Sequence, residues 1–308
     1  MNTKLTSSLA ATVAAVLTVS LAVSSAAAAG GGAHIERQSW SFAGFSGQYD
    51  KQQLQRGFKV YQESCSNCHG LSRIAWRNLV QPGGPEFPEE AVKALAAKWP
   101  NQIPDLSDEG ELARVKKDKD GKVTGFEYVK RAAKLSDPIL GPYANEQQAR
   151  AAQNGALPPD LSLITKARNV ENHSGWVKHV LVDMPKDMLV GYQEGGADYL
   201  YALLTSYADP PANFTLGEGM QFNTAFPGNQ IAMIPPLSKD NVIAYEEGAG
   251  AKASLEQNSR DVAAFLSWAG DPTLNARKRI GWQVMLYLLI TTVLLYLAKK
   301  RVWSRIAH

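Results

Sequence analysis

Cys65-Ser66-Asn67-Cys68-His69 constrains this chain more than any other stretch. These are its only two cysteines, so no disulfide framework exists unless they pair with each other. A helical turn between the two thiols sets both sulfurs on one edge and brings the following imidazole beneath them. That spacing attaches a c-type haem: the thiols add across two porphyrin vinyl groups, and a ring nitrogen of His69 meets the iron. The competing chemistries are a thioredoxin-like redox pair and half a zinc site. A zinc site wants a second Cys/His cluster, which the chain lacks, and a redox pair needs no adjacent histidine. One covalent haem c on Cys65, Cys68 and His69 is therefore expected.

The ends place the protein. Residues 1–29 carry one base, Lys4, then an apolar run from Leu9 to Val23 and a small-residue exit through Ala26-Ala27-Ala28-Ala29. This reads as a secretory signal peptide, cleaved near Ala28 or Ala29, rather than a permanent anchor. Near the other end, Ile280 to Ala298 is 19 residues without a charge. At about 1.5 Å per residue it spans the roughly 30 Å hydrocarbon layer. Gln283 and two threonines are its notable polar side chains, and a threonine can bond back to its own helix. Trp282 and Trp303 sit near its ends, where aromatic belts lie. Basic residues flank both sides (Arg277, Lys278, Arg279; Lys299, Lys300, Arg301, Arg305), so charge alone does not orient the span. Export by the signal does: residues 30–274 form one periplasmic domain on the bacterial inner membrane, 280–298 the transmembrane helix, and 299–308 a cytoplasmic tail.

The net charge of +3 conceals an acidic body, because residues 31–274 hold 24 Lys/Arg against 29 Asp/Glu. An acidic body argues against a nucleic acid partner and for a cationic one. Asp105, Asp108, Glu109 and Glu111 form one acidic cluster, and Glu246 with Glu247 another; either can be a docking face or a solvated one.

An iron held by His69 needs a sixth ligand. With Met1 in the signal and Met285 in the span, Met184, Met188, Met220 and Met233 remain. The weak iron–sulfur bond needs a rigid loop, and Pro235-Pro236 stiffen the chain just after Met233. Met184 precedes a lone proline among charges and stands second. His34, His173 and His179 are polar-stretch alternatives, and His308 falls on the cytoplasmic side. A His/Met pair raises the reduction potential relative to His/His.

The pattern is mainly α. Leu54, Phe58, Tyr61 and Cys65 share one helical face. A second helix is expected from Asn258 to Ala269, capped by Asn258 or Ser259 and ended by Gly270-Asp271-Pro272. Two such helices can cross beside the haem, as in cytochromes c.

Taken in order, several blocks resemble the cytochrome c1 family, the haem c subunits of the quinol–cytochrome c reductase (cytochrome bc1) complex. They are Arg56-Gly57-Phe58-Lys59-Val60-Tyr61 before the haem motif, Asn154-Gly155-Ala156-Leu157-Pro158-Pro159-Asp160-Leu161-Ser162 with Ala167-Arg168, and Asp198-Tyr199 through Tyr207 to Pro210-Pro211. Phe222-Asn223, Phe226-Pro227-Gly228 and Ala232-Met233-Ile234-Pro235-Pro236 follow, then Asp261 to Trp268 and the basic triplet before the span. The resemblance covers about residues 38–303. It implies a cytochrome c-like haem domain with thioether bonds at Cys65 and Cys68, axial ligands His69 and Met233, Arg168 near a haem propionate, and Pro158 lining the pocket. It further implies electrons arriving from a Rieske iron–sulfur protein and leaving to cytochrome c, with cytochrome b as neighbour, in a dimeric complex.

Residues 108–131, with a turn at Asp120-Gly121, and 169–197, with Trp176 to Tyr192 inserted, are expected as surface decorations. A haem subunit of another membrane enzyme and a simple tethered carrier are the competing classes. A tethered carrier needs only about 100 residues for its haem fold, and some 245 argue for docking surfaces.

Overall fold

The computed structural model describes residues 35–101, 103–104, 113–128, 130–168, 177, 179–185 and 195–304. The signal segment, His34, the Asp105–Glu111 acids, His173, Met188, Arg305, His308 and much of the 169–197 insertion lie outside them.

Two crossing helices organise the domain. Helix α1 (Lys51–Glu63) starts where the Asp50 carboxylate accepts the Gln53 amide at 2.6 Å, satisfying an otherwise orphaned donor. Its Leu54, Phe58 and Tyr61 stripe is buried, as the four-and-three spacing requires. After it come β1 (Leu71–Ala75), α2 (Glu89–Lys98), β2 (Ile103–Pro104), β3 (Ala113–Lys117), β4 (Val123–Tyr128), β5 (Lys130–Arg131) and β6 (Pro138–Ile139). Helices α3 (Glu146–Ala152), α4 (Ile164–Ala167) and α5 (Gly196–Thr205) follow, then β7 (Gln221–Phe222), β8 (Gln230–Ile231), α6 (Leu255–Gly270) and α7 (Leu274–Trp303).

Helix α6 is the hub and touches α1, α4 and α5. It begins earlier than its apolar stripe suggests. Ser254 is the cap, its hydroxyl accepting the Gln257 amide at 3.1 Å. Asn258 and Ser259, the two caps expected from the sequence, are both fully buried inside the helix, and Asn258 spends its amide on both backbone groups of Ile243, at 2.8 and 3.1 Å. Where α1 crosses α6 the backbones nearly touch: a Cβ on Gly57 would stand 2.1 Å from the Asp261 carbonyl oxygen. Beside that contact Arg56 grips Asp261 by two bonds, 2.8 and 3.2 Å, with the carboxylate wholly out of solvent. Tyr245 and Gln257 each donate to the same carboxylate at 2.8 Å, so every strong acceptor lobe is used. Phe58, Tyr61, Phe265 and Trp268 fill the crossing with tilted and edge-on ring pairs.

The strands are short two-stranded ladders: β1 with β6, β2 with β5, β3 with β4, β7 with β8. The β3–β4 hairpin turns at Asp120-Gly121, as the sequence suggests, with Asp118 and Lys122 closing it. Helix α7 buries no residue against the domain. Its Thr292 hydroxyl bonds back to the Leu288 carbonyl at 2.7 Å, which leaves that side chain no unmet polar demand in an apolar medium.

Candidate haem site

The site is assembled from the end of α1, a loop at 157–162, and a loop at 230–237. Past α1, Cys65–Asn67 form one tight 3-10 turn, and the Cys68 and His69 amides both donate to the Cys65 carbonyl, at 3.1 and 2.9 Å. One turn thus sets both sulfurs and the imidazole together, as the spacing requires. Both thiols are free and partly buried. Burial, with the neighbouring Cys68 sulfur adding to it, pushes the Cys65 thiol up to about 12.

His69 is oriented by backbone. Its Nδ1 lies 2.7 Å from the Pro159 carbonyl oxygen, which can only accept, so Nδ1 carries the proton and Nε2 keeps its lone pair for a metal. Burial is the largest influence on the ring and pulls its pKa below the ordinary histidine value, opposed by the Pro159 bond and the Asp160 charge. The 157–162 loop is stitched to the residues after His69. The Leu161 amide donates to the Gly70 carbonyl at 2.9 Å, the Ser72 amide to Asp160 Oδ2 at 2.8 Å, and the Arg73 amide to Ser162 Oγ at 3.1 Å. Gly70 backs onto Gly141, where a Cβ would come within 2.7 Å of the Gly141 nitrogen. Tyr61 donates to the His69 carbonyl at 3.1 Å from inside the α1 stripe.

Met233 sits in the 230–237 loop, partly buried and packed on the core. Two hydroxyls hold that loop: Tyr207 donates to the Met233 carbonyl at 3.0 Å, and Ser64 donates to the Pro236 carbonyl at 2.9 Å. Ser64 is the residue before Cys65, so the methionine loop is tied directly to the Cys65–Asn67 turn. Burial raises the Tyr207 phenol well above its ordinary value, keeping it a donor at all working pH. Met184, by contrast, stands 47% exposed next to a short π-type turn, His179–Asp183. Met220 lies just before β7, outside the 230–237 loop.

Arg168 is exposed, follows α4 directly, and lies near enough to Tyr199 to influence its phenol. Pro158 is half-buried next to the Pro159 that orients His69. Sequence reasoning did not find Ser64 or Tyr207 as parts of the site, and it placed the Pro158-Pro159 loop at the pocket without the orienting role of the Pro159 carbonyl. A hydroxyl one residue before the first cysteine carried no signal of its own, and a carbonyl has no residue identity to read. Gln153, also unforeseen, has its amide 3.6 Å from the Cys68 sulfur and 2.6 Å from the Tyr143 hydroxyl.

The donor set suits a c-type haem. Two thiols flank one edge, an imidazole is held with Nε2 unprotonated, and a thioether lies on a loop anchored at both ends. Such a domain on one long apolar helix, Leu274–Trp303, none of it buried, defines a class: membrane-anchored c-type haem proteins. Residues 40–306 match the model of the Cytochrome C1 family. The chain is 44% identical to "Cytochrome c1" of Blastochloris viridis over 282 residues, 92% of this chain and 91% of that protein. It is 37% identical to "Cytochrome c1, heme protein, mitochondrial" of Saccharomyces cerevisiae over 288 residues, 93% of this chain and 78% of the relative. To "Cytochrome b/c1" of Bradyrhizobium diazoefficiens it is 41% identical over 266 residues, 86% of this chain but 35% of that longer protein. The chain belongs to the cytochrome c1 family. It is a haem-containing electron-transfer subunit of the cytochrome bc1 complex, its cofactor is covalently bound haem c, and the one long apolar helix among the described residues fits a membrane span.

Proposed function

We propose that this subunit passes single electrons from a Rieske iron–sulfur protein to a cytochrome c, through a haem held by Cys65, Cys68, His69 and Met233. The observation that carries it is the 2.7 Å bond from His69 Nδ1–H to the Pro159 carbonyl. It leaves Nε2 as an unprotonated ligand beside two free thiols. When bound, the haem supplies the one-electron chemistry.

The chain's own residues do the tuning. Cys65 and Cys68 would form the thioether bonds, and the hydrogen bond from His69 Nδ1–H to the Pro159 carbonyl would raise the basicity of the ligating nitrogen. Met233 would supply a thioether to the iron, which would favour the reduced state and raise the potential. Pro158 lines the pocket. Arg168 offers a planar cation to a propionate, an acid that needs a positive partner wherever water is excluded.

The topology follows the charge and the apolar segments. Residues 1–29 are a cleaved signal, 30–274 the periplasmic domain, 280–298 the span, and 299–308 the cytoplasmic tail in a bacterial inner membrane. Cytochrome b is the membrane neighbour; a relative named "Cytochrome b/c1" supports that pairing. The complex is dimeric, and its cytochrome c acceptor is basic, to suit the acidic body; nucleic acid has no part. Gentle solubilisation tests this. Cytochrome b and a Rieske protein should co-purify with this chain, and an alkaline pyridine spectrum should report one covalent c-type haem on it. A different set of companion subunits would overturn the assignment.

A further inference from the structure

Among the described residues before residue 102, Phe45 is the one large apolar side chain that is mostly exposed, at 57%. It is not loose. Its ring stands edge-on to Trp282, with centroids 4.8 Å apart and planes at 82°. Trp282 is also 57% exposed and is the third residue of the uncharged run that begins at Ile280. An aromatic loop residue of the domain is therefore held level with the first turn of the apolar helix.

The depth of Phe45 is fixed by bonds between the loop and the helix. The Lys278 ammonium donates to the carbonyls of Phe42, Gly44 and Gly47, at 2.8, 2.6 and 3.0 Å, using all three of its protons. One turn earlier, Asn275 accepts the Tyr49 amide at 3.0 Å and donates to the Gly83 carbonyl at 3.3 Å. Arg277 pairs with Asp271 by a 2.6 Å bond. Three of the first five residues of α7 are thus bonded to the domain or its edge, so the helix leaves the domain at a set angle and cannot swivel. Arg279, the last base before the apolar run, is exposed.

We infer that Phe45 and Trp282 form a paired aromatic foot that sits in the lipid–water interface, giving the periplasmic domain a second contact with the bilayer beyond its anchor helix. Continuity with the span supplies the occupant. Aromatic rings favour the headgroup level, and a base immediately above them suits lipid phosphate. A ring held edge-on against the third residue of the span lies close to that level. The domain is consequently held at one height and tilt over the membrane, which keeps the haem side of the domain in a constant position for its partners.

This rests on 280–298 being the span, and the test separates the two. A nitroxide label is placed at Phe45→Cys in the full chain, within its isolated complex, in nanodiscs of phosphatidylcholine and phosphatidylglycerol. Matching labels are placed at Leu289→Cys, in mid-span, and at Asp120→Cys, at the hairpin tip; unlabelled-site protein discounts Cys65 and Cys68. The expected result is a ratio of oxygen to nickel-chelate collisions several-fold higher at position 45 than at 120, and highest at 289. A ratio at 45 equal to that at 120 would overturn the foot, as would a label shielded from both reagents, which would mean that a protein neighbour covers it. Failure at 289 would overturn the span and the foot together. Phe45→Trp, read by extra quenching with brominated phosphatidylcholine, gives the same answer without a label.

Discussion

The Ser64 hydroxyl donates to the Pro236 carbonyl at 2.9 Å, across 172 residues of sequence. It joins the residue before the first haem-motif cysteine to the loop that carries Met233. Tyr207 holds the other end of the same loop through the Met233 carbonyl. A methionine on iron would be a weak ligand, kept there by its loop more than by the bond. Loss of one neutral hydrogen bond costs about 1 kcal/mol, or about fivefold in an opening equilibrium. Ser64→Ala and Tyr207→Phe should each speed cyanide binding to the oxidised haem by about that factor, and the pair together more. The visible spectrum of the resting protein should stay low-spin. Stopped-flow cyanide titration checks this, and unchanged rates in both variants would remove the clamp.

Met233 and Met184 are told apart by the reduction potential. A thioether stabilises the ferrous state, so Met233→Leu should lower the potential sharply. Met184→Leu, at a half-exposed site, should leave it where it was. Redox titration at the haem absorbance decides, and the reverse pattern would transfer the ligand role to Met184.

How much of this was legible beforehand depended on whether the signal was local. The haem motif is contiguous, so Cys65, Cys68 and His69 were readable as a unit and fold as one turn. The stripe of α1 was readable because burial of Leu54, Phe58 and Tyr61 forces a helical period. The start of α6 was not: the apolar stripe pointed to Asn258 or Ser259 as the cap, while Ser254, one turn earlier, takes that place. The choice is made in three dimensions, where Asn258 meets the Ile243 backbone. The Pro159 carbonyl that orients His69 lies 90 residues away and is backbone, so nothing in the residue type announces it. Ser64 and Tyr207 are hydroxyls of the commonest kind, and only the folded loop gives them a task. Phe45 likewise reads as one more aromatic beside Trp40, Phe42 and Tyr49 until Trp282 is beside it.

The crossing of α1 and α6 depends on a charge pair that cannot be halved. Asp261 is wholly buried and receives Arg56, Tyr245 and Gln257. Removing one member of a buried pair strands the other, at about 3–5 kcal/mol. Asp261→Ala should therefore lower the urea midpoint of the haem domain by a stability loss of that size, with no change in the haem spectrum before unfolding. Equilibrium denaturation followed by tryptophan fluorescence measures it. A loss below about 1 kcal/mol would mean that water reaches Arg56 and that the crossing is held by its aromatic packing alone.

Electrostatic docking is tested by ionic strength. The body carries a net negative charge over residues 31–274, and Glu246 and Glu247 are exposed on it. Reduction of a basic cytochrome c by the intact complex should slow as salt rises from 50 to 300 mM, because steering fades over a Debye length of roughly 10 Å. Glu246→Lys with Glu247→Lys should flatten that dependence if those two residues face the acceptor. A rate that does not fall with salt would remove charge from the docking step.

Asp137 sets an acid limit on the strand behind His69. Its carboxylate accepts two bonds from Arg131, at 2.5 and 3.0 Å, and one from the Lys134 amide at 2.7 Å. The Arg131 bonds, chiefly, hold its pKa below the ordinary carboxylate value, against a smaller opposing effect of burial. A carboxylate with a depressed folded pKa contributes stability that is complete above its unfolded value near 3.9 and is lost as pH falls through the lower folded one. Asp137 precedes β6, which pairs with β1, the strand that follows His69 and Gly70. Its carbonyl also receives the Trp76 amide at 3.1 Å. Protonation should therefore loosen the β1–β6 ladder first and the His69 end of the site next. Asp137→Asn should make the domain less stable at pH 7 and shrink the further loss below about pH 4, so that the two stability curves converge on acidification. Denaturant unfolding at a series of pH values gives those curves, and parallel curves for the two proteins would show that Asp137 is not the group that titrates.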